Sequence, residues 1–264
     1  MNRRRILIAL DSAAPRRDAL EAVATLCRRG QAELTAVFIE DANLSRLATL
    51  PFAREIRVTG FASRALDSNL LRLQLDACAR EFEQAFEQAR NRLRTQVRFR
   101  RLRGDVLTEL RRALADADLL VVGRSLQSAG LRTWLGVAPE QLVDAVAQSP
   151  APVSLLFVDE PWATGRSVLV LDDGSEVAQR AAEQGAAIAE ADDLPLEVCG
   201  LHISEEDYDE PDPIPRITDL AELRRLCAQR SPRLLLLPDT PKVREHVDLR
   251  ELLGDLPASV AIIR

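Results

Sequence analysis

Few side chains in this 264-residue chain are equipped for covalent or acid–base chemistry. Its only histidines, His202 and His246, are too few for a multi-histidine metal centre and are the sole bases from which a Ser-His-Asp arrangement could be assembled. His202 sits in an apolar strand pattern, where a satisfied core histidine is the expected role, and His246 in an acidic segment expected to be exposed. Of 35 basic residues one is lysine, Lys242, and the rest are arginine. No P-loop lysine, Schiff base or lysine general base can therefore come from the first 241 residues. Lys242 itself is either a phosphate ligand or, as we expect, a solvated lysine at a helix start. Cys27, Cys78, Cys199 and Cys227 show no C-x-x-C spacing, and their apolar surroundings predict buried free thiols. The nucleophile-elbow, H-E-x-x-H and P-loop patterns are all absent, as are HIGH and SGGxDS. What remains is two aspartates that each close a short apolar run, Asp11 and Asp172, and a loop bounded by Gly123 and Gly136.

These residues need elements to hold them, and the chain supplies the same elements twice. RILIALD at 5–11 and RSVLVLD at 166–172 begin two segments offset by about 161 residues. Each run is rich in branched residues, as in a strand buried on both faces of a parallel sheet. Each is followed by an alanine-rich helical pattern (19–28 and 177–191) and a second apolar strand (34–39 and 196–203), so the architecture is repeated α/β. The length fits two domains, which we place at 1–160 and 161–264, with DEPWATG at 159–165 between them.

The first copy continues with a helix within Val58–Arg94, a strand at 97–102, a helix at 106–115, the strand DLLVVG at 118–123, a helix from about Pro139 to Gln148 and a last strand at 152–158. The proline suits a first helical turn. The second copy is abridged. The acidic, proline-bearing stretch SEEDYDEPDPIP at 204–215 stands where the first copy has its long helix. Then come a short strand at 216–218, a helix at 219–228 with Asp219 as N-cap, a strand at 233–237, a helix at 249–253 and a strand at 259–263.

Charge divides at the same boundary. Residues 1–160 hold 24 Arg against 20 Asp and Glu, a net of +4, whereas residues 161–264 hold 11 basic and 21 acidic residues, a net of −10. Nucleic-acid binding wants a concentrated basic face and is not expected. No apolar run approaches a membrane span of about 20 residues. The N-terminal apolar run, Ile6–Leu10, is too short for a signal peptide, so a cytoplasmic protein with no membrane partner is expected.

With these segments in place, the chain resembles the universal stress protein family in its tandem form. RILIALD, VFIED at 37–41, DLLVVG and the segment at 123–158 carry the resemblance in the first copy. RSVLVLDDGS, LEVCGLHI, SPRLLLLPD and LPASVAII carry it in the second. It extends over the chain except 42–65 and 204–215. The fold it implies is α/β, with two Rossmann-like (adenine nucleotide alpha hydrolase-like) doubly wound domains, each holding a parallel five-stranded sheet, the second abridged. It also implies pairing through the last strands, either within one chain as a pseudo-dimer or between chains as a homodimer.

Nucleotide-binding members resemble one another in a loop pattern G-x2-G-x9-G-[S/T], whose amides hold phosphates. On this sequence the first glycine is Gly123 and the third is Gly136, while the second position is Leu126 and the hydroxyl position Val137. Leu126 adds bulk where phosphate oxygens would lie, and Val137 removes a donor. Ser128 and Gly130 could compensate, with Arg124 and Arg132 supplying charge-assisted contacts. On the adenosine side the resemblance implies Ala9, Asp11, Ile39 and Val122. In the second copy Pro238 and Pro241 replace the glycines, so no second nucleotide site is expected.

Three functions follow as expectations. The first is a non-enzymatic stress-response protein acting through ligand or protein binding, with an eroded nucleotide site and no firmly implied cofactor. The second is an ATP-binding switch, with Mg2+ and slow hydrolysis, using Asp11, Gly123 and Gly136. The third is a module for an apolar ligand or a protein partner built on Trp134, Leu126 and Val137.

Overall fold

The computed structural model describes residues 3–10, 17–27, 32–56, 63–93, 95–125, 133–159, 162–201, 215–256 and 258–264. The first repeat contributes β1 (Arg4–Leu10), α1 (Arg17–Cys27), β2 (Ala32–Asp41), α2 (Ala42–Leu47), the short strands β3 (Arg54–Ile56) and β4 (Ser63–Ala65), α3 (Ser68–Leu93), β5 (Gln96–Gly104), α4 (Val106–Leu114), β6 (Leu119–Ser125), β7 (Thr133–Trp134), α5 (Pro139–Ala147) and β8 (Ser154–Val158). A 3-10 turn at Trp162–Thr164 leads into the second, with β9 (Val168–Asp172), α6 (Glu176–Ala191), β10 (Leu196–Leu201), β11 (Arg216–Ile217), α7 (Leu220–Arg230), β12 (Leu234–Pro238), α8 (Pro241–His246), α9 (Leu249–Asp255) and β13 (Ser259–Ile263).

The main path of the sheet runs β11-β10-β9-β12-β13-β8-β6-β1-β2-β5. Reading outward from its centre, the first repeat is β8-β6-β1-β2-β5 and the second β13-β12-β9-β10-β11, the same order of corresponding strands. All neighbours within a half are parallel. The halves join where β13 meets β8 antiparallel, with Val260 opposite Phe157 and Ile262 opposite Leu155. The two expected five-stranded sheets are thus one continuous sheet. The apolar runs explain it: β8, β12 and β13 are buried at every position, so pairing the last strands covers two edges that would otherwise lie open.

One apolar layer lies on each face of the sheet, and each draws residues from both repeats. Polar links cross the junction too. Arg4 Nη2 donates to Gln184 Oε1 at 2.8 Å, Arg264 Nη1 donates to the Val146 carbonyl at 3.0 Å, and Arg250 pairs with Glu140 at 2.9 Å.

The structure bears out some local expectations and adds elements to others. The long helix expected within 58–94 is α3, and its start at Ser68 is fixed by Asp67 Oδ1, which accepts the amides of Asn69 and Leu70. Ahead of it lies the unanticipated antiparallel pair β3–β4. The helix α2 was also unanticipated; Asp41 caps it by accepting the Asn43 amide. Asp219 caps α7 as expected, accepting the Glu222 amide at 2.8 Å. No described helix is long and apolar enough to cross a membrane.

Candidate functional site

In a doubly wound sheet, ligands meet the carboxyl ends of strands where the order reverses. In the first repeat that point lies between β1 and β6. Register places Ala9 beside Val122 on one side and Val37 on the other, while Gly123 lies beside Val158. Ile39 follows at the end of β2, opposite Leu102. Ala9, Ile39 and Val122 therefore gather at one corner, yet their side chains are buried and join a single apolar cluster. Only backbone there is left for a ligand.

Beyond Gly123 the strand β6 continues through Arg124 and Ser125, which pair antiparallel with Trp134 and Thr133 of β7. The chain then turns through two left-handed residues, Leu135 (φ 56°) and Gly136 (φ 72°). The glycine meets that conformation without steric cost. Leucine there costs on the order of 1–2 kcal/mol, which is offset because its side chain is buried in the core. Gly136 thus holds a conformation that glycine adopts readily.

The next residues differ from a phosphate cradle. Val137, at the hydroxyl position, packs against the apolar core. The Ala138 N–H donates to Gln141 Oε1 at 3.1 Å, so it is already engaged. Pro139 has no N–H to offer. Glu140 places a carboxylate in the first turn of α5, where an incoming phosphate would meet like charge. The residues after Gly136 are therefore an apolar contact followed by a self-capped helix start.

No family model and no curated protein matches the chain. Among solved structures, it is similar to a universal stress protein from Archaeoglobus fulgidus over 98% of this chain and 95% of that one, with a TM-score of 0.61 and 11% identity. A protein from Pseudomonas aeruginosa described as a universal stress protein matches over 98% of this chain and 92% of its own, with a TM-score of 0.58 and 14% identity. A functionally unknown protein from Pseudomonas aeruginosa gives 0.59 and 14% over the same shares. The chain has the tandem universal stress protein fold.

The second repeat of this fold fills the equivalent corner with its own side chains. Asp172, at the end of β9, accepts the amide of Gly174 at 2.8 Å. Thr240 Oγ1 donates to Asp173 Oδ2 at 2.5 Å, and the Ser175 amide donates to Asp173 Oδ1 at 3.1 Å. Burial pushes the Asp173 carboxyl up, but these hydrogen bonds and the Lys242 charge outweigh it and hold the group below its ordinary value. Lys242 is not the solvated lysine expected: its Nζ donates to the Asp173 carbonyl at 3.2 Å, tying α8 to the β9–α6 turn. Asp239 holds Arg244 and Arg264, each at 2.7 Å. Pro238 ends β12 and Pro241 begins α8, so proline stands where the first repeat has its glycine loop. His246 is half-buried rather than exposed, with Nδ1 2.8 Å from the Lys242 carbonyl oxygen.

Asp11, Leu126, Ser128, Gly130, Arg132, His202 and residues 204–214 lie outside the described residues. Trp134 is placed in β7 by its backbone. Cys27, Cys199 and Cys227 are buried and Cys78 half-buried, all as free thiols. Burial pushes Cys27 up to about 11 and both Cys199 and Cys227 up to about 12, far from thiolate chemistry at neutral pH. Gln141 is the functional residue that motif reading missed. Its signal is the spacing Ala138-x-x-Gln141, half of a capping box with no hydroxyl at the N-cap.

Proposed function

We propose that this protein is a non-enzymatic stress-response protein of the cytoplasm that acts by binding a ligand or a protein partner, and that its first-repeat nucleotide loop is eroded. One observation carries the reading: the Ala138 N–H is engaged by Gln141 directly after a Val137 that packs into the core. A triphosphate would have to displace that internal bond and would find no hydroxyl donor at 137 and a carboxylate at 140. The β8–β13 pairing supports a pseudo-dimer within one chain in place of a homodimer through those strands.

The alternative, an ATP-binding switch with Mg2+, draws its support from the left-handed Gly136 and from the gathering of Ala9, Ile39 and Val122. Mass spectrometry of the gently purified protein separates the two. The eroded loop predicts no co-purified adenine nucleotide, and ATP or ADP present near one per chain would overturn it.

A further inference from the structure

A second cavity lies on the opposite side of β2 from the nucleotide corner. Strand alternation sends Ile39 into the apolar layer it shares with Ala9 and Val122, and its neighbour Glu40 to the α3 side. There the carboxyl ends of β2 and β5, the helix α2 and the first turns of α3 border an open cleft of about 250 Å³. Glu40, Ser45, Ser68, Asn69, Arg72 and Arg103 supply its polar lining.

The charges around this cavity are unevenly satisfied. The Glu40 carboxylate, only 8% exposed, receives Arg101 Nε, and Asp76 receives the same arginine's Nη2. Asp67 is occupied by the amides of Asn69 and Leu70, so the start of α3 is capped and does not itself supply an anion site. Arg72 and Arg103 come from different elements, α3 and β5, and line the same cavity with no hydrogen-bond or ion-pair partner among the described residues. Arginine on an edge strand has a simpler use, discouraging edge-to-edge pairing, and Arg98, paired with Glu33 at 3.1 Å, fits it. Arg103 instead lines an open cleft to which Arg72 contributes a second unpaired guanidinium.

Two guanidiniums complement a phosphate dianion better than a single carboxylate. The Ser45 and Ser68 hydroxyls and the Asn69 amide can pair with ligand hydroxyls, and Glu40 can accept from one. The volume is below the range of about 300–1,000 Å³ typical of drug-sized ligands, which suits a compact molecule. We infer that this cavity binds a small phosphomonoester bearing hydroxyl groups, of the sugar-phosphate class.

Calorimetry on the full chain with ribose 5-phosphate, glycerol 3-phosphate, inorganic phosphate and ribose tests it. At least one of the two phosphomonoesters is expected to bind about tenfold or more tighter than either inorganic phosphate or ribose. Arg72→Gln and Arg103→Gln, both at exposed positions, are each expected to weaken that binding about tenfold, with Arg80→Gln on the same helix as the unaffected charge control. Absence of phosphomonoester binding, equal binding of inorganic phosphate, or binding indifferent to both Arg72→Gln and Arg103→Gln would overturn the inference. The site is independent of the nucleotide loop, so neither result bears on the reading of Val137 and Gln141.

Discussion

The backbone N–H of Ala138 donates to the side-chain Oε1 of Gln141 at 3.1 Å, closing the start of α5 on itself. The Ala138 methyl cannot reciprocate, so among the described residues this is the side-chain cap of the helix start. Gln141→Ala should lower stability by about 0.5–1 kcal/mol in urea unfolding. Val137→Ser combined with Gln141→Ala frees the amide and restores a hydroxyl donor. Calorimetry should then show ATP affinity raised about tenfold or more over the natural chain.

Asp118 sits ahead of β6 and takes three contacts from Arg5 of β1: the backbone N–H at 2.8 Å, Nη2 at 2.7 Å and Nε at 3.4 Å. Burial pushes its carboxyl up, but the Arg5 hydrogen bonds and charge prevail, and the group lies below its ordinary value. A depressed carboxylate contributes stability above its unfolded value of about 3.9, and that contribution is lost as pH falls through the folded value. Asp118→Asn should therefore cost on the order of 1 kcal/mol at neutral pH, allowing for solvent screening of a part-exposed pair. The gap between variant and natural chain should close on acidification below about pH 4. Denaturant melts across pH measure both.

Gly165 ends the connection between the repeats, against the backbone of Arg233. A Cβ there would lie 2.0 Å from both the Arg233 Cα and its amide nitrogen. Gly165→Ala forces a backbone shift, and a loss of about 2–3 kcal/mol is expected. Gly254 has open space around its would-be Cβ, so Gly254→Ala is the control expected to be neutral or slightly stabilising.

The β8–β13 junction makes each apolar layer common to both repeats. Unfolding followed by tryptophan fluorescence and by far-UV circular dichroism should give coincident transitions. Val260→Asp, placing a carboxylate at a fully buried position opposite Phe157, should lower stability by several kcal/mol. Light scattering of the natural chain should give the monomer mass.

The sheet was readable from the chain because its strands are short, continuous apolar runs. The strand expected at 259–263 is β13, and the others agree with the expected ranges to within a few residues. What escaped depends on single side chains or on partners far along the chain. The pair β3–β4 has no apolar alternation, and α2 is one short segment set by the Asp41 cap. β7 is only two residues long, paired with Arg124 and Ser125 of β6, and neither so short a strand nor the left-handed leucine that follows it has a sequence signature. The corner formed by Ala9, Ile39 and Val122 was legible from strand order. The engagement of Ala138 was not, because a capping box is recognised by a hydroxyl that this chain lacks. Lys242 escaped as well, since its acceptor is a backbone carbonyl 69 positions away.

The central claim is that the first-repeat loop no longer binds nucleotide, and titration calorimetry with ATP and Mg2+ tests it most directly, with Gly136→Arg as the comparison. The core-packed Val137 and the Ala138 amide held by Gln141 predict no saturable heat in the low-micromolar range and no difference between the two proteins. Low-micromolar ATP binding that Gly136→Arg abolishes would contradict it.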